Sequence, residues 1–454
     1  MTAKKLQFKN SRPLKYFIFS LTCLVIAVML TSCEQNPTAP NEPPKPYGYQ
    51  EDIYWPSLAD SPWPMYRADP QNTGRSKSTG PGSGNIVVRI DSLWPASGVA
   101  VGEDSTIYLV VHSWWYGYDS GGLIAMRPDG SIKWHYPIYV EENSPASSPI
   151  IASNGTIYVS SNDITGQNNK VLAIKSDGTL KWEILLNNKS QIIQSGVNIG
   201  LDGKIYAMAR ASDNSSLLLA ISPFGYIEWE LPMGEASYLP ADGISFSPDG
   251  KTLFVPGYFD SKTLYAVDLE TKSIKWTFGS GRSSLSATPL IDSQGNIYIV
   301  SEGESGEGRL YSLNEFGSIR WSYKLDNIFQ FAQTINPFVM DKSGNIYIGR
   351  DTLLCIDYFG HLRWGLGISD DQAYYSGITS PIVVDESGEL IFTVGINDQT
   401  HLMKVSSEGK LLWEVPFSGF NYGGYNTSPA CSFGQYFYPY NPAPTHNPAF
   451  IILE

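Results

Sequence analysis

Chemistry in this 454-residue chain would have to come from five histidines, four cysteines and its carboxylates, and their spacing limits what each can do. His112, His135, His361, His401 and His446 include no pair at metal-binding spacing, and His135 and His361 stand in a repeated phrase that gives them structural roles. No G-x-S-x-G nucleophile elbow occurs. Gly250-Lys251-Thr252 has the ending of a phosphate loop, but Ser245 stands where such a loop needs its first glycine, so these residues read as a hairpin turn. No D-x-[DN]-x-[DN]-G calcium loop is present, and Asp-Gly pairs such as Asp129-Gly130 and Asp202-Gly203 are turn-formers rather than ligands. The sequence therefore assigns no catalytic residue and no metal ligand, and the expectation is a protein that is not an enzyme.

The cysteines divide by context. Lys4, Lys5, Lys9, Arg12 and Lys15 precede an apolar run from Tyr16 to Leu30, which meets Thr31, Ser32 and Cys33. Basic start, short apolar run and small residues before a cysteine make residues 1–32 a secretory signal. Leu30-Thr31-Ser32-Cys33 has the form of a bacterial lipobox, with Cys33 as the acylated residue. Several acyl chains hold a protein stably at a membrane, and the resemblance to bacterial lipoproteins implies the outer one, because Glu34 stands where an aspartate would favour retention at the inner membrane. Pro37, Pro40, Pro43, Pro44 and Pro46 then mark an extended tether, taken to span 33–60. Cys23 falls in the signal, while Cys355 and Cys431 sit at apolar positions in two different repeats and read as free core thiols. Residues 1–32 hold five of the 31 basic residues and none of the 44 acidic ones, so the remainder carries a formal charge of −18. That excludes a nucleic-acid partner and leaves membrane attachment to the lipid.

The elements that position these residues are legible in the tryptophans. Trp134, Trp182, Trp229, Trp276, Trp321, Trp364 and Trp413 each end a similar phrase, at intervals of 48, 47, 47, 45, 43 and 49 residues. AMRPDGSIKW, AIKSDGTLKW and SLNEFGSIRW are typical, with a glycine four residues before the Trp in six of seven copies. The exception has Lys272 and one extra residue. Such a phrase describes a hairpin whose second strand puts Ile or Leu and Trp on one face. Before each phrase stands a second hairpin, as in SPIIASNGTIYV from Ser148 and TPLIDSQGNIYIV from Thr288. Two hairpins per period make a four-stranded antiparallel blade, and a train of them makes an all-β propeller over 61–454.

The ends of the train set the blade number. SPACSFGQYFYPY from Ser428 and AFIILE at the C-terminus supply three strands with no Trp strand after them, while NIVVRIDSLW, Asn85 to Trp94, has outer-strand form with no hairpin before it. Joining the two gives eight blades of about 46 residues, with Trp94 as the eighth blade tryptophan; seven blades is the alternative. Full burial of one such indole predicts a cost of about 3–5 kcal/mol for Trp182→Ala.

The repeated A-x-x-x-x-G-x-[IL]-x-W phrase and the opening Trp63-Pro64-Met65-Tyr66-Arg67 with Asn72-Thr73-Gly74-Arg75-Ser76 resemble the pyrroloquinoline-quinone-like repeat propellers over residues 61–454. The resemblance implies a Trp docked between adjacent blades. It implies one of two functions, a quinone-dependent dehydrogenase or a non-catalytic envelope lipoprotein of the kind that serves outer-membrane β-barrel assembly. Dehydrogenases of this family carry adjacent cysteines near the cofactor and a calcium held by carboxylate and amide oxygens. No two cysteines are adjacent here, so neither the quinone nor calcium is expected as a cofactor.

Aromatic residues outside the repeat mark the binding candidates. Tyr238, Arg282, Gln333, Tyr374, Tyr375, Tyr422 and Tyr425 fall between a Trp strand and the next inner strand, and Trp114, Trp115, Tyr116 and Tyr118 follow an inner hairpin. Aromatics with one polar edge suit a protein or glycan surface. The expectation is a monomeric, lipid-anchored envelope scaffold for protein partners, with a quinoprotein dehydrogenase and a glycan-binding propeller as alternatives.

Overall fold

The computed structural model describes residues 45–91, 93–112, 121–138, 140, 146–161, 169–186, 189–192, 197–211, 215–235, 243–257, 263–279, 288–302, 308–325, 338–368, 377–396, 399–417, 428–440 and 448–454. The chain divides into two units, Met1–Tyr47 and Gly48–Glu454. The second unit contains eight antiparallel sheets, the blades of a propeller. Blades 1 to 7 occupy residues 100–137, 150–185, 189–235, 245–278, 290–325, 339–367 and 377–417 in chain order. Blade 8 joins Ala430–Ser432, Gln435–Tyr440 and Ala449–Leu453 to the outer strand Ile86–Asp91. The expected closure is therefore found, with Arg89 opposite Ile451 and Asp91 opposite Ala449. Such a ring leaves no end blade to fray.

Each blade is built as its sequence dictates. The short inner strand turns through a glycine into the second strand; in blade 5, Asp292 accepts bonds from the Gln294 and Asn296 amides and from Asn296 Nδ2 and Tyr298 Oη. Second and third strands are buried on both faces and run as Val, Ile, Leu and Ala. Outer strands alternate exposed and half-buried positions, placing the third residue of the strand, the Trp, against the next blade.

The turn glycine is explained by its neighbour. Trp134, Trp182, Trp276, Trp321 and Trp364 donate through Nε1 to turn carbonyls of the following blade, those of Ser176, Pro223, Glu315, Tyr358 and Ser407, at 2.9–3.0 Å. Gly178, Gly225, Gly317, Gly360 and Gly409 in those turns have φ near +80 to +90° and lie on the indole, so a Cβ would come within 2.7–2.8 Å of it. Only glycine meets both demands. In blade 4, Lys272 itself takes a positive φ of 54°.

Two expectations need correction. All seven repeat tryptophans are half-buried rather than fully buried. Trp94 is not a blade tryptophan. The strand ends at Asp91, and the residue at the Trp position is Val88, opposite Ile452 and in contact with the site where a Gly130 Cβ would stand. Trp94 instead accepts the His112 amide on its carbonyl at 2.9 Å and packs edgewise on the His112 ring. The misreading came from the indole ending a phrase of strand-like composition, where the pleat register gave the place to Val88.

Candidate functional site

The residues singled out as the family's opening phrase occupy the ring axis. The inner strand of a blade presents unpaired backbone groups to the channel, and these need partners. Residues 63–76 supply them in a single circuit. Val101 of blade 1 donates its amide to the Trp63 carbonyl at 2.8 Å, and Ile151 of blade 2 to Pro64 at 2.9 Å. Pro70 accepts from Asn198 Nδ2 of blade 3 and from the Phe246 amide of blade 4. Ile291, Met340 and Val384 of blades 5, 6 and 7 donate to Gln71, Thr73 and Gly74. Ser76 then reaches the Val384 carbonyl through its amide and the Cys431 carbonyl of blade 8 through Oγ, both at 2.7 Å. One short segment thus bonds to all eight blades. Curling it so tightly requires left-handed backbone at Arg67, Ala68, Asn72 and Gly74, with φ of 55, 73, 56 and 68°.

A strap leads into this plug across the face formed by the hairpin turns. Gln50 bonds to Lys342 of blade 6 and to Gln294 and Ser293 of blade 5. Trp55 Nε1 donates to the Ile199 carbonyl of blade 3 at 2.9 Å, and its ring packs on Phe246 of blade 4 at 5.3 Å. Ser57 and Ala59 engage blades 3 and 2, and Asp60 donates its amide to Glu103 of blade 1. The folded unit therefore begins at Gly48, ahead of the start at residue 61 that the proline content indicated; Trp55 and Leu58 are buried. On leaving the axis, the chain is latched to blade 7. Lys404, buried, holds Asp385 at 3.2 Å, Glu389 at 2.6 Å and the Pro81 carbonyl at 3.0 Å.

The electrostatics of the plug are those of a sealed structure. Burial pushes the Asp69 carboxyl above its ordinary range, and bonds from Thr73 with the charges of Arg75 and Arg67 offset part of that rise. Arg67 Nη2 donates to the Phe338 carbonyl, and Arg75 pairs with Asp52 at 3.2 Å. Between strap and plug remains a cleft of about 60 Å³, bordered by Trp55, Gln71 and Arg75, enough for about two waters. Cys355 and Cys431 are buried free thiols, each pushed up to about 12 by burial. His135 lies in the outer strand of blade 1, His361 in a turn of blade 6 beside Asp357, and His401 on blade 7 at 2.5 Å from Glu414, so these three do not converge. Among the described residues, no three His, Cys, Asp or Glu side chains form a metal-binding group.

The sequence-derived binding candidates Trp114, Trp115, Tyr116, Tyr118, Tyr238, Arg282, Gln333, Tyr374, Tyr375, Tyr422 and Tyr425 lie outside the described residues, as does Cys33. What the sequence did not disclose is the plug. Its only local signal was a polar, glycine- and asparagine-containing phrase without strand periodicity.

An eight-bladed ring closed around its own N-terminal segment defines the class of protein. The family described as Outer membrane protein assembly factor BamB matches residues 214–423. With eight four-stranded blades in one ring, the chain is an eight-bladed β-propeller, and a little under half of it matches that family. No curated protein matches it. Among solved structures, Saccharomyces cerevisiae Sqt1 aligns at 12% identity over 82% of this chain and 99% of its own, with a TM-score of 0.55. The C-terminal WD40 domain of Sif2 aligns at 10% identity over the same shares, also with a TM-score of 0.55. At such identities the likeness is one of fold alone.

Proposed function

We propose that this chain is a non-catalytic binding scaffold of the bacterial envelope, acylated at Cys33 and held at the outer membrane, whose partners are envelope proteins. The observation that carries this reading is the plugged axis. Trp63, Met65, Arg67 and Asn72 are buried in a segment that bonds to all eight blades, so the hairpin-turn end of the ring axis is occupied by the chain itself. The reading therefore places binding on the outward surfaces of the ring, which suit macromolecules. The family match supports the same reading, since its description names an assembly factor for outer-membrane proteins. Two buried thiols in separate blades, 6 and 8, offer no counterpart to the adjacent cysteines of the quinone enzymes.

The test is a titration of purified protein with pyrroloquinoline quinone and calcium, followed by dye reduction with alcohols and sugars. The proposal expects neither saturable quinone binding nor substrate-dependent reduction. Tight binding with turnover would overturn it.

A further inference from the structure

The turn face is chemically two-sided. Before the turn glycine of the outer hairpin, blades 1, 2 and 7 carry Asp129, Asp177 and Glu408. At the same place blades 3, 5 and 6 carry Phe224, Phe316 and Phe359, exposed by 79, 69 and 52%. The glycine after each Phe is pinned on the indole of the preceding blade, which fixes the turn with its Phe at the tip. Blade 4, between blades 3 and 5, has Glu270 and Lys272 in its turn. The inner-hairpin turns follow this division only in part: blades 1 and 7 show Glu103, Asp104 and Glu386 and blades 5 and 6 show Ser293, Gln294, Lys342 and Ser343, whereas blade 2 shows Ser153 and Asn154 and blades 3 and 4 show Asp202 and Asp249. Exposed aromatic tips of this kind mark a contact surface.

The chain enters the folded unit in this apolar sector. Gly48 lies against the Tyr358 ring, and Tyr358 packs on Phe359 at 5.7 Å. We propose that the sector around Phe224, Phe316 and Phe359 is a docking surface for a lipid bilayer, with the three rings entering its interfacial layer. This rests on the reading of Cys33 as a lipid anchor. Fifteen residues separate Cys33 from Gly48, a length that reaches about 45 Å at most when drawn out, so the apolar sector is the part of the ring nearest the point of attachment along the chain. Three phenylalanines bind a bilayer weakly on their own, but a tether converts that contact into an intramolecular one at high effective concentration.

The experiment is hydrogen exchange read by mass spectrometry on full-length acylated protein in phosphatidylethanolamine–phosphatidylglycerol vesicles, with Cys33→Ala protein in solution as reference. Amides of residues 224–226, 316–318 and 359–361 are expected to exchange about threefold or more slowly on vesicles, and those of 129–131, 177–179 and 408–410 to be unchanged. The Phe316→Ser, Phe359→Ser double variant should float with vesicles as the parent does while losing the protection. Equal exchange at all six turns in protein that floats overturns the docking and leaves the anchor standing. Flotation that does not depend on Cys33 overturns the anchor, and turn protection then decides docking separately. Protection that appears only with added envelope protein assigns the sector to a protein partner and overturns the proposal.

Discussion

Truncating Trp63 to alanine tests whether the axial segment holds the ring together. Trp63 is 1% exposed, so nearly the whole side chain is withdrawn from water. A buried indole of about 200 Å² corresponds to about 5 kcal/mol as an upper bound, and large-to-small changes in cores cost about 3–5 kcal/mol. The loss falls first on docking of the plug, because the circuit of residues 63–76 is one cooperative strip. Its reporters are the inner-strand amides of Val101, Ile151, Phe246, Ile291, Met340 and Val384, which all donate to the plug. Loosening by about 3 kcal/mol speeds their exchange about a hundredfold where they open with the plug rather than globally. Hydrogen exchange read by mass spectrometry, alongside thermal melting, measures both. If the six amides keep their parental protection while the melting temperature falls, Trp63 is only a core residue and the plug is not a separable clasp. If neither changes, the axial assignment is wrong.

Trp182→Ala is expected to cost about 1.5–3 kcal/mol in chemical denaturation, less than Trp63→Ala, since its indole is half-buried. Gly360→Ala should cost about 3 kcal/mol or more, because φ is +89° and the new Cβ meets Trp321 at 2.7 Å, whereas Gly388→Ala, with φ of +83° and open space around it, should cost about 1–2 kcal/mol. Asp69 keeps its proton to higher pH folded than unfolded, so its contribution is present at low pH and lost as pH rises through the ordinary carboxylate range toward the raised value. Asp69→Asn retains an acceptor for the Gln71 and Thr73 amides, and its melting temperature relative to the parent should climb as pH rises above the ordinary carboxylate range. Cys355 and Cys431, raised to about 12, should resist alkylation at pH 8 in the folded protein and react at once when it is unfolded.

The blades were legible because repetition exposes periodicity: seven Trp phrases and their paired hairpins gave strand order, and the unpaired segments at the two ends gave closure through blade 8. The reason for the glycine before each Trp was half legible. A turn position is visible in one repeat, but its contact with the indole of another blade is not. The plug was hidden because most of its bonds run from main chain to main chain, in a segment whose curvature depends on left-handed Arg67 and Ala68, residue types that do not announce that conformation as Asn72 and Gly74 do. Trp94 misled for a related reason: composition named the strand, whereas register placed Val88 at the staple position. The strap from Gly48 to Asp60 was masked by its neighbouring prolines, although Trp55 was a sign of burial.

The scaffold reading is tested most directly by cross-linking mass spectrometry on the acylated protein in intact cells. The account predicts recurrent cross-links from the propeller to a small set of outer-membrane assembly proteins, independent of their abundance. Cross-links distributed simply in proportion to the abundance of envelope proteins would contradict it.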